Sequence, residues 1–475
     1  MKNNSHAQKS VPWRLRSSER KMLLLIGDLL TGYASLFVAL YYWARGDAWL
    51  KFSWEFIRVR PEIWFYLMPV LWVVFMSGLY DVRRSGNRGE TVRGIGMAAL
   101  ISLGIYLLVF FISEPNSLPR RGVAGFIVAN TVLTFLWRML YIRIFTAPQF
   151  MRRVLVIGAG KAGNTLLNVL SDLWPPPFYV VGLVDDDPEK LDKIIAGYPV
   201  LGTGPQLLQI IDREQISDVI LAISGEMNGT TFQAILDAQE CGVEVTTMQK
   251  IYEELLGRVP IFHLDADWLL RSFVEQSRSN PFYELAKRVM DLVIALVGIV
   301  VLAVLLPFIS LAILLDTGFP VFFLQNRMGK NGQEYKIIKF RTMVQNSEKK
   351  GEVRVTTQND DRITRTGKFL RRSHIDELPQ FINMLRGEMS MVGPRAERSE
   401  LVTELQEQIP FYRARLLVKP GITGWAQVNF GYASTVEDTA VKLEYDLYYI
   451  KHRNLLMDIL IIIRTIGTVV GLRGQ

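Results

Sequence analysis

The sequence contains very little cysteine or histidine. Its single cysteine, Cys241, excludes an internal disulfide and a metal site built from several cysteines. The four histidines lie far apart along the chain and show no zinc-ligand spacing. Internal repeats and low-complexity tracts are also absent. Disulfide scaffolds and zinc sites made from cysteine or histidine are therefore excluded.

Acidic residues are outnumbered by basic ones, and apolar residues are abundant. Lys and Arg total 54 against 46 Asp and Glu, so the formal net charge is +8. Because much of the basic charge flanks apolar blocks, anionic lipid and phosphorylated substrates are favoured over nucleic acid as partners. Hydrophobic residues make up 49% and the mean hydropathy is +0.19, as expected for a membrane part beside soluble parts. A length of 475 residues suggests about three domains.

Residues 1–150 carry four apolar segments, each long enough for a membrane-spanning helix of roughly 20 residues. The segments are residues 22–44, 63–80, 95–112 and 123–145. Basic residues precede the first segment, separate the second from the third and follow the fourth, so the positive-inside rule places these three regions in the cytoplasm. The N-terminus lacks a small-residue cleavage pattern, and the first segment is interpreted as a retained anchor. The sequence predicts a four-helix transmembrane region.

Residues 151–270 alternate between predicted strands and helices, which favours a doubly wound parallel sheet of the Rossmann-like kind. The first strand ends in the phrase GAGKAG, with glycines at Gly158, Gly160 and Gly163. Such glycines let the backbone approach a pyrophosphate at a helix N-terminus. Asp185 lies at the end of the second strand, where an acidic residue binds the ribose in folds of this kind. The sequence predicts a nucleotide-binding fold, but leaves open whether it holds NAD, a UDP-sugar or no ligand.

A fifth apolar block covers residues 289–315 and contains Pro307. Its length is sufficient to span a membrane. Both flanks are basic, however, so both ends prefer the cytoplasmic side. Pro307 removes one helical hydrogen bond and favours a kink. We therefore expect a re-entrant helix that breaks at Pro307 and returns to the same face, rather than a span.

The segment that follows this block combines two adjacent carboxylates, Asp376 and Glu377, with many cations. The candidate phosphate-binding cations are Lys339, Arg341, Arg371, Arg372 and Arg395. Cations of this kind hold phosphate oxygens, while carboxylates hold a metal or attack phosphorus. Taken alone, the two acids would fit a solvated helix start. The surrounding cations and the neighbouring membrane block instead favour a site that binds a nucleotide diphosphate and transfers a phosphoryl group.

Three phrases carry a family resemblance: PVFFLQNRMGKNGQEYKIIKFRTM, RTGKFLRRSHIDELPQFINMLRGEMSMVGPRAE and KPGITGWAQVN. Over residues 280–475 the chain resembles the bacterial sugar transferases called monotopic phosphoglycosyl transferases. The whole chain resembles their large form, the polyprenyl-phosphate hexose-1-phosphate transferases of the glucose or galactose type. In that form a catalytic domain with a re-entrant helix follows four spans and a nucleotide-binding-like domain.

The resemblance implies an activity and a mechanism. It implies transfer of hexose-1-phosphate from a UDP-sugar to undecaprenyl phosphate, with Mg²⁺, at the cytoplasmic face of the bacterial inner membrane. It also implies that Asp376 of an Asp-Glu dyad becomes phosphorylated, with Glu377 as a metal ligand or a base. Two departures from the family pattern stand out. Leu306 replaces a serine before the breaking proline, and Ala396 replaces the second proline of a Pro-Arg-Pro phrase, whose arginine is kept as Arg395.

Three functions remain to be compared. The favoured one is the transferase, which would release UMP and initiate exopolysaccharide, capsule or O-antigen synthesis. A membrane-bound NAD-dependent nucleotide-sugar dehydratase would use residues 151–270, but would leave residues 316–454 without a role. A non-enzymatic polysaccharide-assembly or transport protein would have few spans for a transporter. The sequence does not select the sugar, and homodimerisation is left open.

Overall fold

The computed structural model of the chain describes residues 17–80, 85–112, 119–145, 151–174, 176–223, 225–264, 281–344, 360–431 and 435–470. The chain divides into two compact units, Met1–Ile251 and Tyr252–Gln475. Unit 1 contains the first apolar segments and a parallel sheet. Unit 2 contains the fifth apolar block and the carboxylate motif.

The first part of unit 1 is helical. Its helices are α1 (Ser17–Ala44), α2 (Trp54–Val59), α3 (Ile63–Tyr66), α4 (Met68–Phe75), α5 (Arg88–Ile112) and α6 (Arg120–Phe145). Helices α1, α5 and α6 are each long and apolar enough to cross a membrane. Their exposed faces carry large apolar side chains such as Leu30, Leu100 and Val128, as lipid contact requires. The chain is therefore a membrane protein.

The second apolar segment corrects the expectation of four uninterrupted spanning helices in this region. Residues 63–80 form α3, α4 and a 3₁₀ turn, Ser77–Tyr80, instead of one helix. Pro69 lies in the first turn of α4. Proline has no N–H to donate to the preceding turn, so it begins a helix more readily than it continues one. The apolar pattern identified the segment but not this break.

A buried ion pair joins α1 to α6. Arg138 Nη2 donates to Asp28 Oδ2 at 2.5 Å, and both side chains are fully buried. The hydroxyl of Tyr80, in the 3₁₀ turn, donates to the same carboxylate at 2.8 Å. Arg138 Nη1 also donates to the carbonyl of Leu79 at 3.0 Å. Every formal charge at this point is thus matched inside the helix cluster.

The second part of unit 1 is a six-stranded sheet with helices between strands. Its elements are β1 (Arg153–Ile157), α7 (Lys161–Ser171), β2 (Tyr179–Val184), β3 (Ile194–Ile195), β4 (Tyr198–Gly202), α8 (Leu207–Glu214), β5 (Asp218–Leu221), α9 (Gly229–Glu240) and β6 (Glu244–Thr247). The strand order is β3-β4-β2-β1-β5-β6, and all pairs except β3 with β4 are parallel. The predicted parallel α/β organisation is confirmed. The covering of both sheet faces, which a doubly wound fold requires, stays a prediction.

Unit 2 begins within a helix and is mainly helical. Its elements are α10 (Met248–Leu256), α11 (Pro281–Thr317), β7 (Phe322–Met328), β8 (Glu334–Phe340), α12 (Arg365–Arg372), α13 (Gln380–Arg386), β9 (Ser390–Val392), α14 (Ser399–Gln408), β10 (Gly421–Thr423), α15 (Trp425–Asn429), α16 (Val436–His452) and α17 (Leu455–Val470). Strands β7 and β8 form an antiparallel hairpin, and β9 pairs with β10 in parallel. The main core lies around α16 and includes Leu443, Leu447 and Ile450.

Helix α11 packs against the rest of unit 2 along most of its length. Its 37 residues form one helix with the exposed Pro307 inside it, so the proline does not end the helix. Near the start, Lys287 Nζ lies 3.0 Å from Asp458 Oδ2. In the second half, Leu302 and Ile309 pack in one cluster with Phe340 and Leu370. Near the end, Thr366 N donates to Asp316 Oδ2 at 2.9 Å. The opposite face is apolar and exposed.

The division of the chain into units falls after residue 251. The predicted end of the second domain, at residue 270, and the predicted start of the third, at residue 280, lie outside the described residues and stay predictions. Val259 and Ile261 are buried in the core of unit 2. Residues 252–264 therefore belong to unit 2, because their apolar side chains help to fill its core.

Candidate active site

The two adjacent carboxylates lie in a single 3₁₀ turn, Ile375–Glu377, between α12 and α13. His374, just before the turn, has a left-handed backbone conformation with φ of 56°. This reversal turns the chain sharply at the end of α12, so the acids project inward instead of following the helix face. Asp376 is 9% exposed as a result.

Glu377 is bound by two cations. Lys339 Nζ donates to Glu377 Oε1 at 2.6 Å, and Arg395 Nη2 donates to the same oxygen at 3.0 Å. Burial favours the protonated form, but the charges of Lys339 and Arg395 outweigh it and hold the pKa of Glu377 below its usual range. Glu377 is therefore ionised and neutralised by its neighbours.

Asp376 is in a different state from its neighbour. Among the described residues, no hydrogen bond or ion pair to its carboxylate is found. Burial, followed by the nearby charge of Glu377, raises the pKa of Asp376 to about 6, despite opposing effects of Lys339, Arg371 and Arg395. At neutral pH most of this carboxylate is ionised, and its oxygens are available to a ligand or an electrophile.

The predicted cations separate into two groups. Lys339, on β8, and Arg395 contact Glu377 directly. Arg371, in the last turn of α12, donates from Nε to Thr342 Oγ1 at 2.9 Å, and its charge lies close enough to lower the pKa of Asp376. Arg395 is also 43% exposed, so an incoming phosphate can reach it. These three cations and the two acids form the candidate site.

Arg341 and Arg372 lie elsewhere. Arg341 Nη2 donates to Thr317 Oγ1 at 2.6 Å and to the carbonyl of Gly318, so the buried guanidinium holds the end of α11. Arg372 lies on the exposed side of α12. Neither side chain contacts Asp376 or Glu377 within the part of the chain that the structure describes.

A buried charge network positions Arg395, and the sequence analysis did not identify it. Arg415 Nη2 donates to the carbonyl of Arg395 at 3.1 Å and to Asp446 Oδ2 at 2.9 Å. Lys442 Nζ donates to Glu397 Oε1 at 2.9 Å. Burial opposes the charge on Glu397, yet Lys442 and Arg415 lower its pKa to about 2. Glu397 lies two residues after Arg395 in the PRAE phrase and could have been inferred, whereas Arg415 carries no local signal.

The carboxylate pair fits a magnesium ion. Both cations on Glu377 bind Oε1, so its Oε2 has no partner among the described residues, like the oxygens of Asp376. No group of three or more acidic, histidine or cysteine ligands is found in the described ranges. Mg²⁺ commonly binds through one or two carboxylates together with substrate phosphates and waters. Asp376 and Glu377 Oε2 could provide two protein donors for such an ion.

The glycine loop of unit 1 is a separate feature. Gly158 has φ of 106°, and a side chain at Gly163 would overlap the carbonyl of Gly158. Asp185 accepts a hydrogen bond from Ala159 N at 2.7 Å and pairs with Lys190 at 3.2 Å. The structure thus brings the predicted loop and acid together. The oxygens of Asp185 that would bind a ribose already accept hydrogen bonds from the protein.

Two family models match the chain. The bacterial sugar transferase model matches residues 282–471, which include the whole candidate site. A model described as a CoA-binding domain matches residues 76–244, which include α5, α6 and most of the parallel sheet.

Characterised relatives share a transferase activity by name. An undecaprenyl-phosphate glucose phosphotransferase of Komagataeibacter xylinus is 31% identical over 87% of this chain and 72% of its own length. A UDP-glucose:undecaprenyl-phosphate glucose-1-phosphate transferase of Xanthomonas campestris pv. campestris is 30% identical over 74% of this chain and 72% of its own length.

A third relative has a different sugar in its name. The UDP-N-acetylgalactosamine-undecaprenyl-phosphate N-acetylgalactosaminephosphotransferase of Aeromonas hydrophila is 43% identical over 48% of this chain, and the match spans 52% of that protein. Together with the Komagataeibacter and Xanthomonas relatives, it supports neither a dehydratase nor a non-enzymatic transport protein. The chain belongs to the bacterial sugar transferase family, as an enzyme of the undecaprenyl-phosphate sugar phosphotransferase kind.

Proposed function

We propose that the chain transfers hexose-1-phosphate from a UDP-sugar to undecaprenyl phosphate through a phosphoryl-aspartate on Asp376, and so initiates synthesis of a surface polysaccharide. The observation that carries this proposal is the unequal state of the two acids. Glu377 is neutralised by Lys339 and Arg395, whereas the buried Asp376 has no partner among the described residues. A nucleophile must keep its attacking oxygen free, and Asp376 satisfies that requirement.

The reaction divides into two displacements. In the first, an oxygen of Asp376 forms a bond to the β-phosphorus of the UDP-sugar. The bond from that phosphorus to the bridging oxygen breaks, and UMP leaves with the electron pair. In the second, a phosphate oxygen of the lipid attacks the same phosphorus, the bond to Asp376 breaks, and the carboxylate is regenerated. Two moderate barriers thus replace one high barrier.

The cations of the site neutralise the charge that develops on the phosphate oxygens. Arg395 is exposed on one side and Arg371 lies near Asp376, so both can bind the diphosphate. Lys339 keeps Glu377 ionised. Mg²⁺, when bound by Asp376 and Glu377 Oε2, would act as a Lewis acid on the diphosphate. We reassign Arg341 from phosphate binding to the support of α11.

We infer that α11 is re-entrant and that the site faces the cytoplasm of a bacterial inner membrane. Lys287, near the start of α11, and Asp316, near its end, both contact unit 2. A helix that crossed the membrane would place these ends on opposite sides. The exposed apolar face, which includes Val293, Val300 and Phe308, would contact lipid on one side of the bilayer.

The test is mass spectrometry of the purified protein after incubation with each of a panel of UDP-sugars, without lipid. The wild type should release one UMP and carry a sugar-phosphate adduct on Asp376. Asp376→Asn keeps the shape but removes the attacking charge, so adduct and turnover should both disappear. Glu377→Gln serves as the matched neighbour and should retain some adduct. An adduct on another residue, or transfer only when sugar nucleotide and lipid are bound together, would refute the scheme.

A further inference from the structure

Residues 252–264 follow the parallel sheet of unit 1 and precede the part of unit 2 that begins with α11, which we call the transferase domain. They pack firmly against that domain. Val259 and Ile261 are 0% and 1% exposed, in a core shared with Leu447 and Ile450 of α16. A flexible tether would not place apolar side chains inside the core of the domain that follows it. We call residues 252–264 the docking segment.

Polar contacts fix the docking segment to α16. Lys451 Nζ donates to both carboxylate oxygens of Glu253 at 2.8 and 2.9 Å, and His452 Nε2 lies 3.0 Å from Oε2 of the same residue. Tyr252 donates from its hydroxyl to Glu444 Oε2 at 3.1 Å. The backbone N–H of Val259 donates to the carbonyl of Glu444 at 3.0 Å. The contacts therefore extend over more than two turns of α16.

A glycine brings the docking segment against Trp425. Gly257 has φ of 64°, and a Cβ built on it would lie 3.3 Å from the Trp425 ring, so a larger residue would strain the backbone there and crowd the contact. Its carbonyl accepts a hydrogen bond from Trp425 Nε1 at 2.7 Å. The Trp425 ring system also stacks with Tyr448, at 5.9 Å between ring centroids.

The elements that receive the docking segment also hold Arg395. Trp425 begins α15 directly after β10, and Gly421 of β10 forms a β-bridge with Arg395. Helix α16 carries Lys442 and Asp446, which bind Glu397 and Arg415 of the network behind Arg395. Support from the docking segment thus reaches the candidate site through two independent elements.

We propose that the docking segment is a permanent internal ligand of the transferase domain, seated between Trp425 and α16, and that its seating holds the Arg395 loop in place. The occupant is this chain's own residues 252–264, whose apolar pair and acidic Glu253 match an apolar and basic surface. The seating itself does not depend on the proposed function. Its effect on activity rests on that function.

The experiment uses the full chain with a protease site inserted between residues 264 and 281 and an affinity tag at the C-terminus. After cleavage in detergent, the fragment that ends with the docking segment should stay with the tagged fragment through purification. Ile261→Asp should release it, as should the milder pair Ile261→Ala with Glu253→Gln. Phe262→Ala is the matched control, because Phe262 is 64% exposed, and it should behave as the wild type.

Two further readouts follow release. Hydrogen exchange of the peptide 393–397 should rise, while exchange of residues 334–340 in β8 should stay unchanged. UMP release should fall at least tenfold. Loss of the fragment from the cleaved wild type, or its retention in both Ile261 variants, would overturn the seating. Release without faster exchange at 393–397 would overturn the effect on Arg395. Because retention and exchange need no turnover, they test the proposal even where the proposed reaction fails.

Discussion

The pairing of Lys339 with Glu377 allows stability and chemistry to be separated. Lys339→Met removes one cation and keeps the aliphatic stem. The two side chains are only 18% and 12% exposed, so the pair is screened little by solvent. Breaking a buried ion pair typically costs about 3–5 kcal/mol. Because Arg395 still contacts Glu377, we expect the lower end, about 3 kcal/mol. For a unit of this size, that loss corresponds to a fall of roughly 6–12 °C in its melting temperature.

For the double variant Lys339→Met with Glu377→Gln, we expect stability to be restored. This variant leaves no unmatched carboxylate, so its free energy of unfolding should return to within about 1 kcal/mol of the wild-type value. UMP release should nevertheless stay well below that of the wild type, with some adduct still forming on Asp376, because the ionised neighbour of Asp376 is gone. Thermal unfolding in detergent, with hydrogen exchange of peptides from β8 and α13 to identify the transition of unit 2, measures the first quantity. Lys368→Met, on the exposed side of α12, is the control.

Two results would contradict this reasoning. If Lys339→Met melts with the wild type, the pair does not stabilise the fold. If the double variant is as unstable as the single one, the cost comes from lost packing and not from an unmatched charge. Recovery of UMP release in the stable double variant would show that Glu377 has no part in the chemistry.

Three other predictions concern pH and the membrane helices. Burial raises the pKa of Asp376 to about 6, so adduct formation should fall about tenfold between pH 7 and pH 5 as the nucleophile becomes protonated, as measured by quenched-flow mass spectrometry. Burial also raises the pKa of Glu444 from 4.5 to about 7, so the protonated carboxyl favours the folded state. The free energy of unfolding should therefore fall by about 3 kcal/mol as the pH rises from 4.5 through 7. Glu444→Gln should remove this pH dependence from urea unfolding curves. In the helix cluster, Asp28→Asn should lower the melting temperature, and the double variant Asp28→Asn with Arg138→Met should partly restore it. If the melting temperature falls equally in both variants, the two charges do not stabilise each other.

The carboxylate pair and Arg371 were predictable because this part of the signal is local. Asp376 and Glu377 are adjacent, and Arg371 precedes them by less than two helical turns. The sequence could not show which of the two acids is paired with cations. Glu377 is the paired one because it binds Lys339 and Arg395, which are 38 and 18 positions away in the chain. A sequence pattern shows which residues are available but not which of two neighbours meets a distant strand.

Arg341 shows where a cluster of charges in the sequence misleads. Lys339 and Arg341 were both expected at the phosphates because both are basic and belong to the segment that carries the two acids. Strand β8 ends at Phe340, and Arg341 instead binds the last residues of α11. Residues 252–264 were missed for a related reason: the two apolar side chains that they add to the core of unit 2, Val259 and Ile261, are too few to form a periodic pattern, and their partners lie almost 190 residues further on.

The Asp28–Arg138 pair has a consequence for how the chain enters a membrane. Either helix inserted alone would bring a charged side chain into hydrocarbon at a cost of about 2.5–3.5 kcal/mol. The two charges cancel only when α1 and α6 are side by side, and Tyr80 adds the interrupted second segment to the same contact. Helix α1 is synthesised more than a hundred residues before its counter-charge. The charge on the first helix is therefore matched only after the last has been synthesised, and loss of either helix would leave the other with an unmatched buried charge.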